Sequence, residues 1–414
     1  MSKLQPARGT RDILGEEMRR QRHVAETARA VSELYGYQEI ATPIFEFSEV
    51  FKRTLGDTSD IVTKEMYSFT DNGGETITLR PENTAGVARA VISGGLAQNV
   101  PLKFFYAGPM FRYERPQKGR YRQFHQIGIE LIGVAEPLAD IEVIATGAHI
   151  LERLGVLQHT VLELNTLGDT ESRGAYRAAL VEYMRQHLGK LSADSRARLD
   201  RNPLRILDSK DEGDIAIVRG APQLKEFLNE KSRTFFDAVR RGLDALGIPH
   251  VWNTYLVRGL DYYAHTAFEF KTDKLGAQGA VMAGGRYDGL IAQMGGPELP
   301  GVGWAAGIER LGMLLDRAPE VARPIAIVPI GAEAEHAAIK LSSELRHGGF
   351  TVELGYRGNV SKRMKDANKV RARAAVLIGE DELRKGAATV RDLDTGEQAE
   401  VPLAALKDRL APYR

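Results

Sequence analysis

Five short stretches of this 414-residue chain collect residue types suited to phosphates and to a small polar ligand. The first is Phe111-Arg112-Tyr113-Glu114-Arg115, followed by Gln117-Lys118-Gly119-Arg120 and a run that ends at Glu130. Guanidinium forks match phosphate oxygens in a bidentate way, so arginines on a strand–loop–strand unit suit a polyphosphate. Taken alone, the same stretch also fits a solvated basic loop. Period-2 alternation then places Phe124, Gln126, Gly128 and Glu130 on one face of the second strand, with Ile127, Ile129 and Leu131 on the other. An unpaired buried carboxylate is strongly unfavourable, so Glu130 requires a cationic or hydrogen-bond-donating partner.

The second stretch, Arg80-Pro81-Glu82-Asn83-Thr84, sits at a strand-to-helix junction. Glu82 there suits a substrate ammonium group, or simply the helix dipole. In the third, Leu256 to Tyr263, packing accounts for Tyr262 and Tyr263, while Arg258 is placed to stabilise charge developing at a phosphate. The fourth, Ala283 to Gly289, contains Tyr287 and a Gly pair that permits close backbone approach, but no Gly-Lys-Ser/Thr of a Walker motif. The fifth, Gly301 to Arg310, leads from small residues into an apolar helix bearing Arg310.

Composition narrows the chemistry. Lys plus Arg number 56 against 55 Asp plus Glu, so any nucleic-acid surface must be local. The absence of cysteine excludes disulfides, thiolate metal sites and a cysteine nucleophile. The nine histidines lack a two-histidine metal spacing, so no metal site made of protein side chains is expected, and His125 reads as structural. Met1 to Arg11 is polar, and no stretch approaches the roughly 20 apolar residues of a membrane helix. A soluble, cytoplasmic protein with no membrane association is the expectation.

The elements that must position these residues follow from periodicity. Glu17 to Tyr37 predicts an amphipathic helix, Ile44 to Phe51 a β-like run, and Glu65 to Arg80 a hairpin around Asn72-Gly73-Gly74. Thr84 to Ser93 predicts a helix capped by Asn83 or Thr84. Lys103 to Phe111 and Arg122 to Leu131 predict paired strands, and Asp140 to Leu154 a helix. Residues 170–246 turn helical, polar and basic, as an inserted module. Strands are expected again at Val251 to Val257, Thr266 to Lys271 and Ala280 to Gly285, and a helix from near Trp304 past Leu315. After a linker at Ala318 to Pro324, strands alternating with helices predict a small α/β domain with a mostly parallel sheet.

In order along the chain, these stretches resemble the three signature motifs of class II aminoacyl-tRNA synthetases and two stretches of their histidine-specific family. Arg8-Gly9-Thr10-Arg11-Asp12 resembles that family's N-terminal signature, and the region around Gly36 to Asp57, with Pro43, resembles motif 1. Phe111 to Glu130 looks like motif 2 and Gly301 to Arg310 like motif 3, while Leu256 to Tyr263 and Gly284 to Asp288 resemble the histidine-specific stretches.

The resemblance implies an α+β fold: an antiparallel sheet flanked by helices in a catalytic domain over 1–320, the helical insertion, and an anticodon-binding α/β domain over 325–414. It implies a homodimer formed through motif 1. It also implies activation of L-histidine with ATP and Mg2+, then transfer to histidine tRNA. By position, Arg112 and Arg258 would contact the α-phosphate as catalytic residues, Glu114 and Arg120 would hold adenine and the terminal phosphates, Phe124 would stack on adenine, and Arg310 would grip the γ-phosphate. Glu82, Thr84 and Gln126 would receive the amino and carboxylate groups of histidine, and Glu130, Tyr262, Tyr263 and Tyr287 would surround its imidazole. Arg115 and Gln117 would face the tRNA acceptor end. The segment from Arg357 to Arg373, with seven basic residues and one acid, would contact the anticodon stem. Asn83 departs from the family's expected glycine. Two rivals share the catalytic fold: a regulatory subunit of ATP phosphoribosyltransferase, disfavoured by Arg258 and residues 325–414, and a synthetase for another amino acid, disfavoured by Glu130 with Tyr262 and Tyr263.

Overall fold

Helix α1 (Gly15–Leu34) buries Val24, Ala28 and Val31 at helical spacing, and the chain turns away at Gly36, whose φ is 79°. The structure, a computed structural model, describes residues 3–55, 61–117, 119–257, 262–276 and 279–414. Strands β1 (Gln38–Glu39) and β2 (Phe45–Phe47) follow, then helix α2 (Ser48–Leu55). The β-like run expected from Ile44 to Phe51 is therefore strand only at its start. Phe51 and Leu55, four residues apart and both fully buried, impose the helical period on the rest.

Strands β3 (Tyr67–Thr70) and β4 (Thr76–Leu79) form the expected hairpin, its turn held by Asp71 Oδ1 accepting from the Gly73 and Glu75 N–H groups. Helix α3 (Thr84–Ser93), the paired strands β5 (Leu102–Phe111) and β6 (Gln123–Ile132), and helix α4 (Pro137–Arg153) lie where periodicity places them. The sequence reading missed β7 (Val161–Thr166). Helices α5 (Thr170–Gln186), α6 (Ala193–Arg198), α7 (Glu212–Val218) and α8 (Glu230–Ala245) lead back to β8 (His250–Trp252), β9 (Ala264–Lys271), β10 (Ala280–Arg286), α9 (Leu290–Gln293), β11 (Gly301–Gly307) and α10 (Ile308–Leu314).

Eight strands make one sheet in the order β1-β5-β6-β11-β10-β9-β7-β8. The six central strands are antiparallel, and only the short edge strands β1 and β8 pair parallel with their neighbours. Two expectations fail on this sheet. The strand expected from Val251 to Val257 stops at Trp252 because the Asn253 side chain accepts from the Tyr255 N–H and its carbonyl from Leu256, a tight turn. The helix expected from Trp304 begins only at Ile308, because Gly301–Gly307 pairs with both β6 and β10 as a central strand.

Ile129, Leu164, Phe268 and Trp304 form a core under one face of the sheet, against α1, α4 and α8. Within 170–246, Tyr176, Leu180, Met184, Ile206 and Leu224 form a separate core, whereas α8 sends Phe236, Val239 and Leu243 into the core beneath the sheet. The last helix of the expected insertion is thus part of the body. Asp214 closes the insertion from inside: fully buried, it accepts from the Ser192 N–H and from the hydroxyls of Ser192, Ser195 and Ser209 at 2.6–2.8 Å.

By contact density the chain divides into Met1–Ala318 and Pro319–Arg414. The second unit contains β12 (Ile325–Pro329), α11 (Ala332–His347), β13 (Val352–Leu354), α12 (Val360–Lys369), β14 (Ala374–Ile378), α13 (Glu380–Arg384), β15 (Ala387–Asp392), β16 (Gln398–Pro402) and α14 (Leu406–Leu410). Its sheet, β13-β12-β14-β15-β16, is mixed and not mostly parallel. The link from β15 to β16 is a tight turn around Asp392, too short for a crossover helix, so those strands run antiparallel.

Burial raises the Asp214 carboxyl, but hydrogen bonds from Ser195, Ser192 and Ser209 outweigh it and hold it at about 2. A carboxyl depressed from an unfolded value of about 3.9 stabilises the fold above that pH and loses the contribution as pH falls. Protection factors for amide hydrogen exchange over residues 170–228, taken relative to the intrinsic rate at each pH, should therefore fall between about pH 4 and about pH 2. Asp214→Asn should show the lowered protection already at neutral pH.

Candidate active site

Register sets the site. Glu130 on β6 lies opposite Gly303 on β11, and a Cβ on residue 303 would fall 1.9 Å from Glu130 Oε2 and 2.4 Å from the Ile129 carbonyl oxygen. Only glycine leaves room for this carboxyl at the centre of the sheet. Its partners are neutral: Thr84 Oγ1 donates to Oε1 at 2.7 Å and the Tyr287 hydroxyl donates to Oε2 at 2.5 Å. Burial, only partly offset by those two bonds and reinforced by nearby Glu82, pushes Glu130 up to about 8. Relative to a carboxylate in water, its ionised form is thus disfavoured by about 5 kcal/mol.

Glu82 lies at the start of α3 and accepts from the Thr84 and Ala85 N–H groups at 2.7 and 3.0 Å. The expected cap by Asn83 or Thr84 is absent: Glu82 does that work, and the Thr84 hydroxyl turns to Glu130. Burial raises the Glu82 carboxyl despite those bonds. Asn83 has φ −120°, so its backbone needs no glycine. Its side-chain oxygen accepts from Thr42 at 2.5 Å and from Arg80 at 3.2 Å. Arg80, which also donates to the Pro109 and Thr42 carbonyls, is a structural brace between α3 and β5.

Along the same groove Arg112 donates to the Pro81 carbonyl at 2.8 Å and lies 5.3 Å from the Phe124 ring centroid. Arg120 pairs with Glu114 at 3.0 Å. Arg310, on the first turn of α10, has its guanidinium acidity raised by burial and then by the like charge of Arg120. Guanidinium groups gathered this way favour a polyanion.

One cavity of about 240 Å³ collects these groups. Its lining includes Glu82, Thr84, Gln126, Glu130, Tyr262, Tyr263 and Tyr287, and also Arg112, Glu114, Arg120, Phe124 and Arg310. Arg115 and Gln117 belong to the adjoining loop and not to the lining. Arg258, with Gly259 to Asp261, lies outside the described residues.

Sequence reasoning missed four contributors. Tyr121 lines the cavity with the Arg11 guanidinium 4.0 Å from its ring centroid. Gly9, at φ 86°, lets the chain cross against Arg122, whose N–H donates to the Gly9 carbonyl. The Arg8 to Asp12 stretch thereby props the loop after β5, a role visible only in three dimensions. Glu309, nearly buried, accepts from the His125 N–H at 3.0 Å with His125 Nδ1 2.8 Å away, which ties α10 to β6 and gives His125 a structural task.

An antiparallel sheet with arginines beside a buried polar pocket, joined to a second unit, defines a class II aminoacyl-tRNA synthetase. The family model for histidyl-tRNA synthetase matches residues 9–311, and that for an anticodon binding domain matches residues 324–411. A histidine–tRNA ligase of Rhodospirillum rubrum is 64% identical over 417 residues, covering 100% of both chains. The crystal structure of apo S. aureus histidyl-tRNA synthetase superposes with a TM-score of 0.83 at 37% identity, over 98% of this chain and 99% of that one. The fold alone is shared with a Bacillus halodurans structure titled ATP phosphoribosyltransferase regulatory subunit/histidyl-tRNA synthetase, at 24% identity and a TM-score of 0.64, over 91% of this chain and 98% of that one. This chain belongs to the histidyl-tRNA synthetase family.

Gly303→Ala should weaken histidine binding by roughly 100-fold, about 3 kcal/mol, because the new methyl takes the place of the Glu130 carboxyl. Titration calorimetry with histidine and separately with ATP checks this, with ATP affinity expected to change less than about threefold, a difference of under 1 kcal/mol.

Proposed function

We propose that this chain is a histidine–tRNA ligase in which the carboxyl of Glu130 recognises the imidazole of L-histidine. The observation that carries the reading is that carboxyl, buried with two hydroxyl partners and lining a cavity that arginines also line. Histidine lies with its ring against Glu130, Tyr262, Tyr263 and Tyr287, and with its amino and carboxylate groups toward Glu82, Thr84 and Gln126. ATP lies along Arg112, Glu114, Arg120, Phe124 and Arg310, its adenine on Phe124.

In the first step a histidine carboxylate oxygen attacks the α-phosphorus, and the bond to the bridging oxygen breaks as pyrophosphate leaves. Arg112, together with Arg258, stabilises the charge that grows on the α-phosphate. In the second step a ribose hydroxyl of the tRNA 3′ end attacks the acyl carbon, its proton is lost, and AMP departs. Mg2+ would arrive on the phosphates of ATP. Among the described residues no cluster of three or more metal-binding side chains is present, and Glu114 and Glu309 are already paired with Arg120 and His125.

The domain assignments are catalysis by 1–320, with the module at about 170–246, and anticodon recognition by 325–414 through the basic Arg357 to Arg373 segment, while Arg115 and Gln117 meet the acceptor end. A homodimer through motif 1 is supported by the inverted burial of β2. Phe45 and Phe47 are more than half exposed, and Glu46 between them is buried on Arg89. A cytoplasmic location accords with the charging of tRNA; among the described residues no helix is long and apolar enough to cross a membrane.

ATP–pyrophosphate exchange measured with each of the twenty amino acids, without tRNA, should respond to histidine alone. Exchange with none, in a protein that binds histidine, would point to a regulatory role instead. Glu130 adds a pH signature. Up to about 8 the Glu130 carboxyl keeps a proton to donate to the acceptor nitrogen of a neutral imidazole, and above about 6.5 the free imidazole is neutral, so this acid–imidazole pair forms without gaining or losing a proton between those values. Histidine affinity should peak in that window and fall about tenfold per pH unit above 8, a one-proton slope. In Glu130→Gln that alkaline fall should disappear from calorimetric titrations, leaving only the dependence due to the ligand's own amino group.

A further inference from the structure

Tyr263, nearly buried, lines the cavity, and its carbonyl accepts a hydrogen bond of 2.8 Å from Nη1 of Arg173. Arg173 belongs to the insertion, on the first turn of α5. We propose that Arg173 is a positioning residue for histidine, through which the inserted helical module holds the Tyr262–Tyr263 wall of the amino-acid pocket in place. This inference rests on the histidine site proposed above and assigns the insertion a part in it.

Arg173 projects from a firmly held base. The Asp169 carboxylate caps α5 by accepting from the Ser172 N–H at 2.9 Å, and it also accepts from Asn229 Nδ2 at 2.8 Å. The Asn229 N–H donates to Ser172 Oγ at 3.0 Å, and the Asp169 N–H donates to Ser232 Oγ at 3.1 Å. These bonds join the first turns of α5 and α8, and α8 is packed into the core beneath the sheet. The guanidinium therefore reaches the pocket from a fixed point.

The wall it holds is coupled to the ligand end. The Tyr262 and Tyr263 rings lie 4.6 Å apart, Tyr262 meets Tyr287 edge-on at 5.9 Å, and Tyr287 donates to Glu130. Just beyond, the His265 N–H donates to the Gly168 carbonyl and the Leu167 N–H to the His265 carbonyl, with His265 at φ 46°. The chain leaving the wall is thus stitched to the root of the insertion by backbone, while Arg173 is a side chain that can be changed without breaking the sheet register. A charge-assisted bond to a backbone carbonyl fixes both distance and direction, and small displacements of a binding wall cost affinity steeply.

The test is calorimetric histidine and ATP binding, with exchange kinetics, for the unaltered chain, Arg173→Ala and Arg173→Lys. Arg173→Ala should weaken histidine binding and raise its KM about tenfold, with KM for ATP and the thermal midpoint unmoved. Arg173→Lys, which can still donate to the carbonyl, should recover to within about threefold of the unaltered chain. Unchanged histidine affinity in the Ala variant overturns the proposal. Parallel loss of ATP affinity and thermal stability does so too, since it marks a merely structural residue, as does a Lys variant no better than Ala. An unaltered chain that binds ATP but not histidine would remove the proposed site itself, and this inference with it.

Discussion

Taking one carboxyl out of water at the centre of a β-sheet is the constraint around which the catalytic unit is organised. Glu130 has no cation in contact among the described residues; its two hydrogen bonds come from the hydroxyls of Thr84 and Tyr287. Each partner needs its own support. Thr84 is held by the start of α3, where Glu82 occupies the amide groups, and Tyr287 follows Arg286, whose fully buried guanidinium pairs with Asp140 on α4. Opposite them Gly303 provides the volume. The result is a carboxyl poised near neutrality, suited to a ring that also titrates near neutrality.

The arginine-lined part of the groove follows the opposite logic. Arg120 is paired with Glu114, and Arg310 feels Arg120 as a like charge in a partly dry setting. Such an arrangement is preorganised for a strongly charged anion, because donors already oriented at low dielectric need little rearrangement when the anion arrives. The sheet therefore carries two electrostatic regimes a few residues apart on the same strand, from Phe124 beside Arg112 to Glu130 among hydroxyls. An extended strand makes this separation possible: alternate residues face the cavity about 7 Å apart, so binding functions follow one another along β6.

Much of the cavity was legible in the sequence because strand periodicity is strict. Once β6 is recognised, the inward set Phe124, Gln126 and Glu130 follows from alternation alone, and all three line the cavity. Misreadings fell where composition and environment conflict. Trp304 to Gly307 read as the start of an apolar helix, yet Gly301–Gly307 forms a central strand because two neighbouring strands and a carboxyl must approach closely. Ile44 to Phe51 changes period halfway, and a short window cannot show that. The contributions of Gly9, Arg11 and Glu309 were invisible for another reason: each acts across more than 100 residues of sequence, on the 121–125 segment, through contacts that no local pattern encodes.

In the proposed site, selectivity for histidine would follow from the same buried carboxyl. A ligand with an imidazole can supply or accept the one proton that Glu130 and its hydroxyl partners leave available, whereas an apolar side chain of similar size would strand that group without water or partner. Stranding a buried polar group costs a few kcal/mol, and stranding two in one pocket gives discrimination on the order of 10⁴, enough to make a separate proofreading site unnecessary. Glutamine and asparagine offer amides of similar polarity, and against them shape must act. The carboxamide is planar too, but it carries both polar atoms on one carbon at the end of a flexible chain. The imidazole holds its nitrogens on a rigid ring that would pack among Tyr262, Tyr263 and Tyr287, so binding an amide costs more conformational entropy and leaves ring surface uncovered.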